Sequence, residues 1–252
     1  MRIGRYRATQ IQQICNERGI KTLVHFTRIG NLNSILQKGL LSRKTLEMLK
    51  ETHGQQFLFN DLKRYDDHKE AICLSISFPN YQMFYKYRKI NSDENWVVLL
   101  LDTKVLWALE CAFCRQSAAY RTVTKIPLAE RQKPEALKGM FADFDDIKRQ
   151  NWSIPKNYPT HPQAEVLVFD PIPVQYINTI YFWDSTALTE WFDNSANSGN
   201  YSPRFSARNQ EYFEPRSDYE VWRSAHFNGD DIPESDEYLG EFVGEDDADI
   251  PF

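Results

Sequence analysis

The feature that most constrains this sequence is a single carboxylate inside an otherwise apolar segment. Glu165 lies between Ala164 and the run Val166-Leu167-Val168, whose composition is that of a buried strand. An ionised group in such a place is costly unless it has a partner or a chemical task, and groups of this kind concentrate at functional sites. The fold must therefore place the start of this strand at a polar cleft or beside a partner for the carboxylate.

A second segment of the same character lies about 140 residues earlier in the chain. His25 and Thr27 stand at the end of an apolar run that begins at Leu23, just before a helical pattern. We interpret both segments as strand ends that face one cleft. Two structural alternatives remain open at this point: a core histidine bonded to a backbone carbonyl, and a glutamate paired with an arginine.

Length and charge predict one main domain over residues 1–200 and an acidic extension over residues 201–252. A chain of 252 residues with 42% hydrophobic content can bury one good core. The first 200 residues carry a net charge of +5, whereas the last 52 hold 14 acidic residues and 4 arginines. The basic body is compatible with a nucleic-acid or nucleotide partner. The extension is predicted to be partly disordered, a nucleic-acid mimic or a contact for another protein, although aromatic residues argue against disorder before about Gly229.

The sequence predicts a cytoplasmic protein without a membrane partner. No apolar run approaches the roughly 18 residues that span a bilayer, and the basic start of the chain lacks the apolar stretch of a secretion signal. Four scattered cysteines fit a reducing compartment. Cys111 and Cys114 form a C-x-x-C, but no second ligand pair at similar spacing accompanies them, so no metal site is predicted.

Hydrophobic periodicity predicts a mixture of helices and strands. Helices are expected over 3–18, 32–38, 43–51, 81–88 and 186–192, and strands over 21–25, 71–78, 96–102, 163–169 and 177–183. Between residues 103 and 162 the pattern indicates short helices and long irregular stretches. A loop region of this size inside a compact domain is usually functional.

The order of these parts resembles an ADP-ribosyltransferase, and more narrowly the DarT family of toxins, which transfer ADP-ribose from NAD to bases in nucleic acid. The resemblance covers about residues 20–195. The segment from Leu23 to Ser42 is similar to the family's NAD-binding segment, and Gln163-Ala164-Glu165 is similar to its Q-A-E with the catalytic glutamate. Arg64 falls where the family places its catalytic arginine, with Arg43 and Arg88 as alternatives. The resemblance implies an α+β fold, in which a split mixed β-sheet is flanked by helices and NAD lies between the two halves.

Family chemistry implies a role for each of these residues. Cleavage of the bond between nicotinamide and ribose develops positive charge at the ribose carbon, which Glu165 would stabilise from beside the 2′-hydroxyl. Arg64 would contact phosphate and help to deprotonate the attacked base. The implied cofactor-binding residues are His25, Phe26, Thr27, Ser34, Ser42 and Arg64.

The resemblance also implies a substrate, a co-substrate and a partner. The expected reaction moves ADP-ribose from NAD to a base of single-stranded DNA without a metal, because a duplex hides the nucleophilic edge of the base. Guanine is favoured over thymine, since the segment 75–81 replaces a more aromatic strand of thymine-modifying members. The implied partner is a cognate antitoxin, for example a macrodomain protein that removes ADP-ribose.

Three further residues are predicted to contact the nucleic acid. Tyr81 and Tyr85 would stack on nicotinamide or on a base, and Arg88 would attract the backbone. Their helical spacing is equally typical of a core stripe. Three alternatives to the expected function remain: an RNA base, a protein target, and a non-catalytic module that binds nucleic acid or an antitoxin.

Overall fold

The computed structural model of the chain describes residues 4–54, 56–59, 66–145, 147–194, 203–208, 210–219 and 222. Within these residues seven strands form one mixed sheet in the order β4-β5-β2-β1-β3-β6-β7. All neighbouring strands are antiparallel except β6 and β7, which are parallel. The strands are β1 (Leu23–Arg28), β2 (Ile72–Ile76), β3 (Trp96–Leu101), β4 (Cys111–Cys114), β5 (Glu165–Val168), β6 (Ile177–Phe182) and β7 (Arg204–Ser206).

Helices flank the sheet, and local side-chain chemistry sets several of their ends. The helix that starts at Arg43 is capped by Ser42, and the helix that starts at Tyr81 is capped by Asn80. None of the described helices is long and apolar enough to cross a bilayer. The helices are α1 (Arg5–Arg18), α2 (Leu32–Lys38), α3 (Arg43–His53), α4 (Tyr81–Ile90), α5 (Val105–Ala108), α6 (Arg121–Thr124), α7 (Leu128–Arg131), α8 (Pro134–Gly139) and α9 (Ser185–Asn194), with 3-10 turns at Ile29–Asn31, Arg149–Asn151, Val174–Tyr176 and Gln210–Phe213.

The hydrophobic core divides according to the two faces of the sheet. Side chains alternate along a strand, so Leu23 and Val166 enter the main core, whereas Val24 and Leu167 point to the other face. On that second face the buried residues form two separate clusters. One belongs to the β4 and β5 half of the sheet, and the other, which includes Trp96, belongs to the β1 and β3 half.

The sheet splits between β1 and β2. All six residues of β1 pair with β3, but only Leu23 and Val24 pair with β2. The continued register would place Phe26 opposite Cys73. Instead, the carbonyl oxygen of Cys73 lies 3.0 Å from Nδ1 of His25. The predicted α+β fold with a split mixed sheet is therefore confirmed, and the split opens beside His25.

The periodicity of the sequence predicted the central strands and the longer helices, but it did not predict β4 and β7. Strand β4 has only four residues, and β7 lies in the predicted acidic extension. The described part of that extension packs on the domain: β7 pairs with β6, and Phe213, Arg216 and Trp222 are buried. The rest of the extension lies outside the described residues.

Gly39 provides a test of how the segment after α2 is held against the sheet. Its φ is +77°, and an added Cβ would overlap the carbonyl oxygen of Ile172. Gly54 has a similar φ of +66° but faces open space. We expect Gly39→Ala to lower the free energy of unfolding by about 3 kcal/mol or more, and Gly54→Ala by about 1 kcal/mol. Urea unfolding measures both values, and equal losses would contradict the close approach at Gly39.

Candidate active site

Glu165 is the first residue of β5, and its carboxylate is held in place. The side chain is buried, at 7% exposure, and its Oε2 accepts a hydrogen bond of 2.8 Å from the backbone N–H of Ala118. Cys114 of β4 lies directly opposite Glu165. A charge-assisted bond to a backbone donor fixes the orientation of the carboxylate more firmly than a flexible side-chain partner would.

The strand registers place Glu165 level with Val24, the residue directly before His25. Leu74 pairs with Val166, so the next position of β2, Ser75, lies beside Glu165, and Ser75 also pairs with Val24. Neighbouring strands are about 4.8 Å apart, which places Glu165 roughly 10 Å from β1 at the residue before His25. The structure therefore brings the two predicted segments to the two sides of β2, next to the split.

The hydrogen bond of His25 determines what its ring can offer to a ligand. A carbonyl oxygen only accepts, so Nδ1 carries the hydrogen that it donates to Cys73 at 3.0 Å. Burial lowers the pKa of His25 and keeps the ring neutral at neutral pH, although the bond to Cys73 opposes this shift. In the neutral ring Nε2 is an acceptor, which suits a hydroxyl group such as those of a ribose.

Asn31, which is not among the predicted site residues, also lies in this region. Its Nδ2 donates to Oγ1 of Thr27 at 3.0 Å and to the carbonyl oxygen of Leu58 at 2.8 Å, and its Oδ1 accepts from the N–H of Leu58. Asn31 thus ties the end of β1 to residues 56–59. The predicted catalytic residue Arg64 follows that segment and lies outside the described residues, so its role stays a prediction.

The side chain of Phe26 points away from the face that carries His25. Its ring stacks on Phe84 with a centroid distance of 4.5 Å and also contacts Trp96. The carbonyl oxygen of Thr22 accepts a hydrogen bond from the backbone N–H of Ser77, so the backbone groups of Thr22 point toward β2. The direction of the backbone groups repeats at every second residue of a strand, and those of Phe26 therefore point toward the split as well. Any contact of Phe26 with a cofactor therefore falls to its backbone.

The two predicted serines have ordinary structural positions. The hydroxyl oxygen of Ser42 accepts from the N–H of Thr45 at 3.3 Å and lies 3.0 Å from its hydroxyl, which caps α3. Ser34 is half-buried on α2. Their predicted contacts with the cofactor stay predictions, and the geometry of Ser42 accounts for its presence without a ligand.

The predicted nucleic-acid residues on α4 are mostly engaged in packing. Tyr81 is buried, and this burial raises the pKa of its phenol. Nη2 of Arg88 donates to the carbonyl of Phe213 at 2.5 Å, and its guanidinium lies 4.8 Å from the ring centroid of Phe84. These contacts favour the core-stripe alternative for Tyr81 and Arg88, whereas Tyr85 is half-buried and its predicted role is untested.

Two buried polar groups just after β2 have no hydrogen-bond partner among the described residues. They are the hydroxyl of Ser77 and Nδ2 of Asn80, in residues that are 5% and 2% exposed. Ser77 also has a φ of +65°, a conformation that is strained for a residue with a side chain. A buried group of this kind costs about 1–3 kcal/mol, and such strain clusters at ligand sites. The sequence signal was the pair Ser75 and Ser77 at the end of an alternating strand.

A short turn at residues 158–164 leads into Glu165, and we name it the pre-Glu165 turn. Within it Nδ1 of His161 accepts from the N–H of Gln163, and the carbonyl of His161 accepts from the N–H of Ala164, both at 3.1 Å. Oε1 of Gln163 accepts from the hydroxyl of Tyr120 at 2.8 Å. The conformation of this turn determines where β5 starts.

The described residues contain no group of three or more His, Cys, Asp or Glu side chains that is placed to hold a metal ion. Cys111 and Cys114 lie on β4 and are buried. Burial raises the pKa of both thiols, that of Cys114 to about 12, with a further contribution from nearby Glu165. Both side chains are therefore packed neutral thiols.

The fold is that of an ADP-ribosyltransferase. The DarT structure of Thermus sp. 2.9 in complex with carba-NAD+ is similar with a TM-score of 0.51 and 15% identity, over 77% of this chain and 98% of that chain. Residues 24–213 match the family model described as ssDNA thymidine ADP-ribosyltransferase, DarT. Because this match covers most of the chain, the protein belongs to the DarT family.

Two further solved structures are similar to this chain. DarT of Thermus sp. 2.9 in complex with ADP-ribosylated ssDNA has a TM-score of 0.45 and 13% identity, over 78% of this chain and 97% of that chain. Thermosipho africanus DarTG in complex with ADP-ribose has a TM-score of 0.47 and 16% identity. The match covers 77% of this chain and 51% of the DarTG chain, so it spans about half the length of that protein. Comparison with curated protein sequences gave no significant match.

The family match confirms three predictions made from the sequence. They are membership of the DarT family, the ADP-ribosyltransferase class, and NAD as the co-substrate of that class. The predicted residue roles, including those of Arg64 and Glu165, stay predictions.

His161 gives the pre-Glu165 turn a predicted dependence on pH. Burial, together with the charges of Arg216 and Arg115, lowers the pKa of His161 to about 3. The unfolded chain takes up a proton at this residue below about pH 6.5, but the folded chain does not until near pH 3, so stability present above pH 6.5 is lost as the pH falls. The expected loss is about 1.4 kcal/mol per pH unit.

Urea unfolding between pH 7.5 and pH 4.5 measures this effect as a slope. We expect the free energy of unfolding of His161→Gln to change less steeply with pH than that of the original protein. The difference in slope should correspond to about one bound proton, whatever the absolute stability of the variant. The matched control is His53→Gln, because His53 is exposed at the end of α3. An unchanged slope in His161→Gln would show that His161 is not held neutral in the folded chain.

Proposed function

We propose that this chain transfers ADP-ribose from NAD to a base of single-stranded DNA. The observation that carries the proposal is the placement of Glu165, which is buried, fixed by the N–H of Ala118 and separated by β2 from Val24, the residue directly before His25. The family description supports single-stranded DNA as the acceptor. The carba-NAD+ complex of the Thermus protein supports NAD as the donor.

The geometry suits a displacement at the nicotinamide ribose. The bond between C1′ and the nicotinamide nitrogen breaks, and its electron pair leaves with nicotinamide. An atom of the base forms the new bond to C1′ and loses its proton to water, a transfer that Arg64 is predicted to assist. Glu165 would stabilise the positive charge that develops at the sugar and orient the 2′-hydroxyl. His25 would accept a hydrogen bond from a ribose hydroxyl through Nε2, and the backbone groups of Phe26 would bind the nicotinamide amide at the split.

The family description and the sequence of residues 75–81 favour different target bases. The family that matches most of the chain is described as acting on thymidine. The sequence expectation of guanine rests on one short segment, residues 75–81. We therefore propose thymine as the main target and keep guanine as the alternative that the experiment decides.

The proposed biological role follows from membership of the DarT family. We propose that the protein is a toxin of the cytoplasm, paired with a cognate antitoxin that removes ADP-ribose or covers the site. A role in phage defence is a further expectation of this kind.

The main prediction concerns the products on defined oligonucleotides. Single-stranded DNAs with an adenine and cytosine background, each with one thymine or one guanine, are incubated with NAD and the protein, together with matched RNAs. We expect mass spectrometry to show one added ADP-ribose on the thymine DNA. Glu165→Gln should lower the rate by about 100-fold or more, because it removes the charge that stabilises the transition state.

Controls separate this proposal from its alternatives. Glu135→Gln, which changes an exposed glutamate of α8, should retain full activity. An adduct on guanine alone reverses the proposed base, and an adduct on RNA alone or on protein alone rejects the DNA substrate. NAD binding without an adduct on any oligonucleotide would reject a nucleobase as the acceptor, whereas weak or absent NAD binding would favour the non-catalytic module.

Ser77 gives a second prediction, in which binding and stability change independently. Its buried hydroxyl has no partner among the described residues, so Ser77→Ala should leave the free energy of unfolding unchanged or raise it. If NAD supplies the missing partner, the same variant should bind NAD about 5- to 10-fold more weakly by calorimetry. The control is Ser153→Ala, since Ser153 has a similar φ of +51° but is exposed. Unchanged NAD affinity in Ser77→Ala would exclude this contact.

A further inference from the structure

Arg216 is a fully buried arginine that lies beyond the family match, which ends at residue 213. It is 2% exposed and ranks among the largest completely buried side chains of the described residues. Its Nε and Nη2 donate to the two carboxylate oxygens of Asp218, each at 2.5 Å. Removing two charged groups from water is costly unless further hydrogen bonds compensate. The other hydrogen-bond partners of Arg216 therefore show what the buried pair is attached to.

Those donors are directed at the pre-Glu165 turn. Nη1 donates to the carbonyl oxygen of Pro159 at 3.0 Å, and Nη2 donates to that of Thr160 at 2.9 Å. The guanidinium also lies 5.6 Å from the ring centroid of Tyr158. The planar fork of arginine thus holds two consecutive carbonyl groups, a geometry that a lysine cannot reproduce.

Trp222 adds a second contact to the same turn. Its Nε1 donates to Oδ2 of Asp218 at 3.1 Å, and its ring lies 4.7 Å from the ring of His161 and 6.0 Å from that of Phe144. His161 in turn bonds the N–H of Gln163. A continuous set of contacts therefore runs from the C-terminal segment through His161 to the residue two positions before Glu165.

The turn also has a contact from within its own loop. Arg149 donates to the carbonyl of Tyr158 at 3.0 Å and to the hydroxyl of Thr160 at 2.8 Å. Arg149 is only 9 and 11 residues from these partners, whereas Arg216 is 57 and 56 residues from Pro159 and Thr160. Arg216 therefore ties the turn to a different part of the chain.

We propose that Arg216, supported by Asp218 and Trp222, is a positioning residue for ADP-ribose transfer. It fixes the pre-Glu165 turn and through it the start of β5, so that Glu165 is held at the ribose. This inference rests on the proposed function. It extends the active site to a segment that the family match does not include.

The test uses the full chain and compares two arginines of the same segment. Arg216→Ala removes the bonds to the turn, whereas Arg204→Ala changes an exposed arginine of β7. Arg216→Lys keeps the charge but loses the fork. For each variant that is folded at the assay temperature, kcat for transfer, the Kd for NAD and the hydrogen exchange of the amides of residues 160–164 are measured.

We expect Arg216→Ala to lower kcat by about 10- to 100-fold, because a small displacement of a catalytic group is sufficient for a loss of this size. Its Kd for NAD should change by less than about 3-fold, and the turn amides should exchange faster. Arg216→Lys should recover part of kcat, and Arg204→Ala should match the original protein. If Arg216→Ala does not fold, Trp222→Phe retains the ring contacts but loses the N–H to Asp218, and it should show the same changes in smaller degree.

The outcomes separate this inference from the proposed function. Unchanged kcat and unchanged exchange of the turn amides in folded Arg216→Ala would overturn it, as would a loss of kcat that only follows the folded fraction. If the original protein transfers nothing to DNA, the proposed function fails, and the exchange of the turn amides still shows whether Arg216 holds the turn.

Discussion

The hydrogen bond between Nδ1 of His25 and the carbonyl of Cys73 is the contact on which the site depends. It occupies the position where β1 would otherwise continue to pair with β2. Since the ring and not the backbone of β1 satisfies this carbonyl, the two halves of the sheet separate at Val24 without leaving that acceptor unpaired. The same bond fixes the tautomer of His25, so the feature that opens the split also determines the hydrogen bonding that His25 offers there.

Glu165 requires support from outside its own strand. A carboxylate at the start of a buried strand is stable only if its position and its partners are fixed. The N–H of Ala118 provides one partner, and the turn closed by His161 determines where the strand begins. Arg216 reaches that turn from the C-terminal segment, so the geometry at Glu165 depends on residues of three separate parts of the chain.

The sequence predicted those parts of the site that have a local signature. Glu165 and His25 are conspicuous in the sequence because each is a polar residue at the end of an apolar run, and their roles stay predictions. Arg216 was missed because its partners lie 56 and 57 residues away, and a sequence pattern does not show such contacts. Arg88 was assigned to nucleic acid from its charge, but in the folded chain the carbonyl of Phe213, 125 residues away, accepts from it. Ser77 has only a weak signature in the sequence, a serine at the end of an alternating strand, because its positive φ and its burial become visible only in the folded chain.

A crystal structure of the chain with carba-NAD+ would test directly whether the split between β1 and β2 holds the nicotinamide ribose. We expect the nicotinamide ribose at the split between β1 and β2, with the carboxylate of Glu165 and Nε2 of His25 each about 2.6–3.2 Å from a ribose hydroxyl. A cofactor bound elsewhere, or a ribose beyond the reach of Glu165, would contradict this expectation.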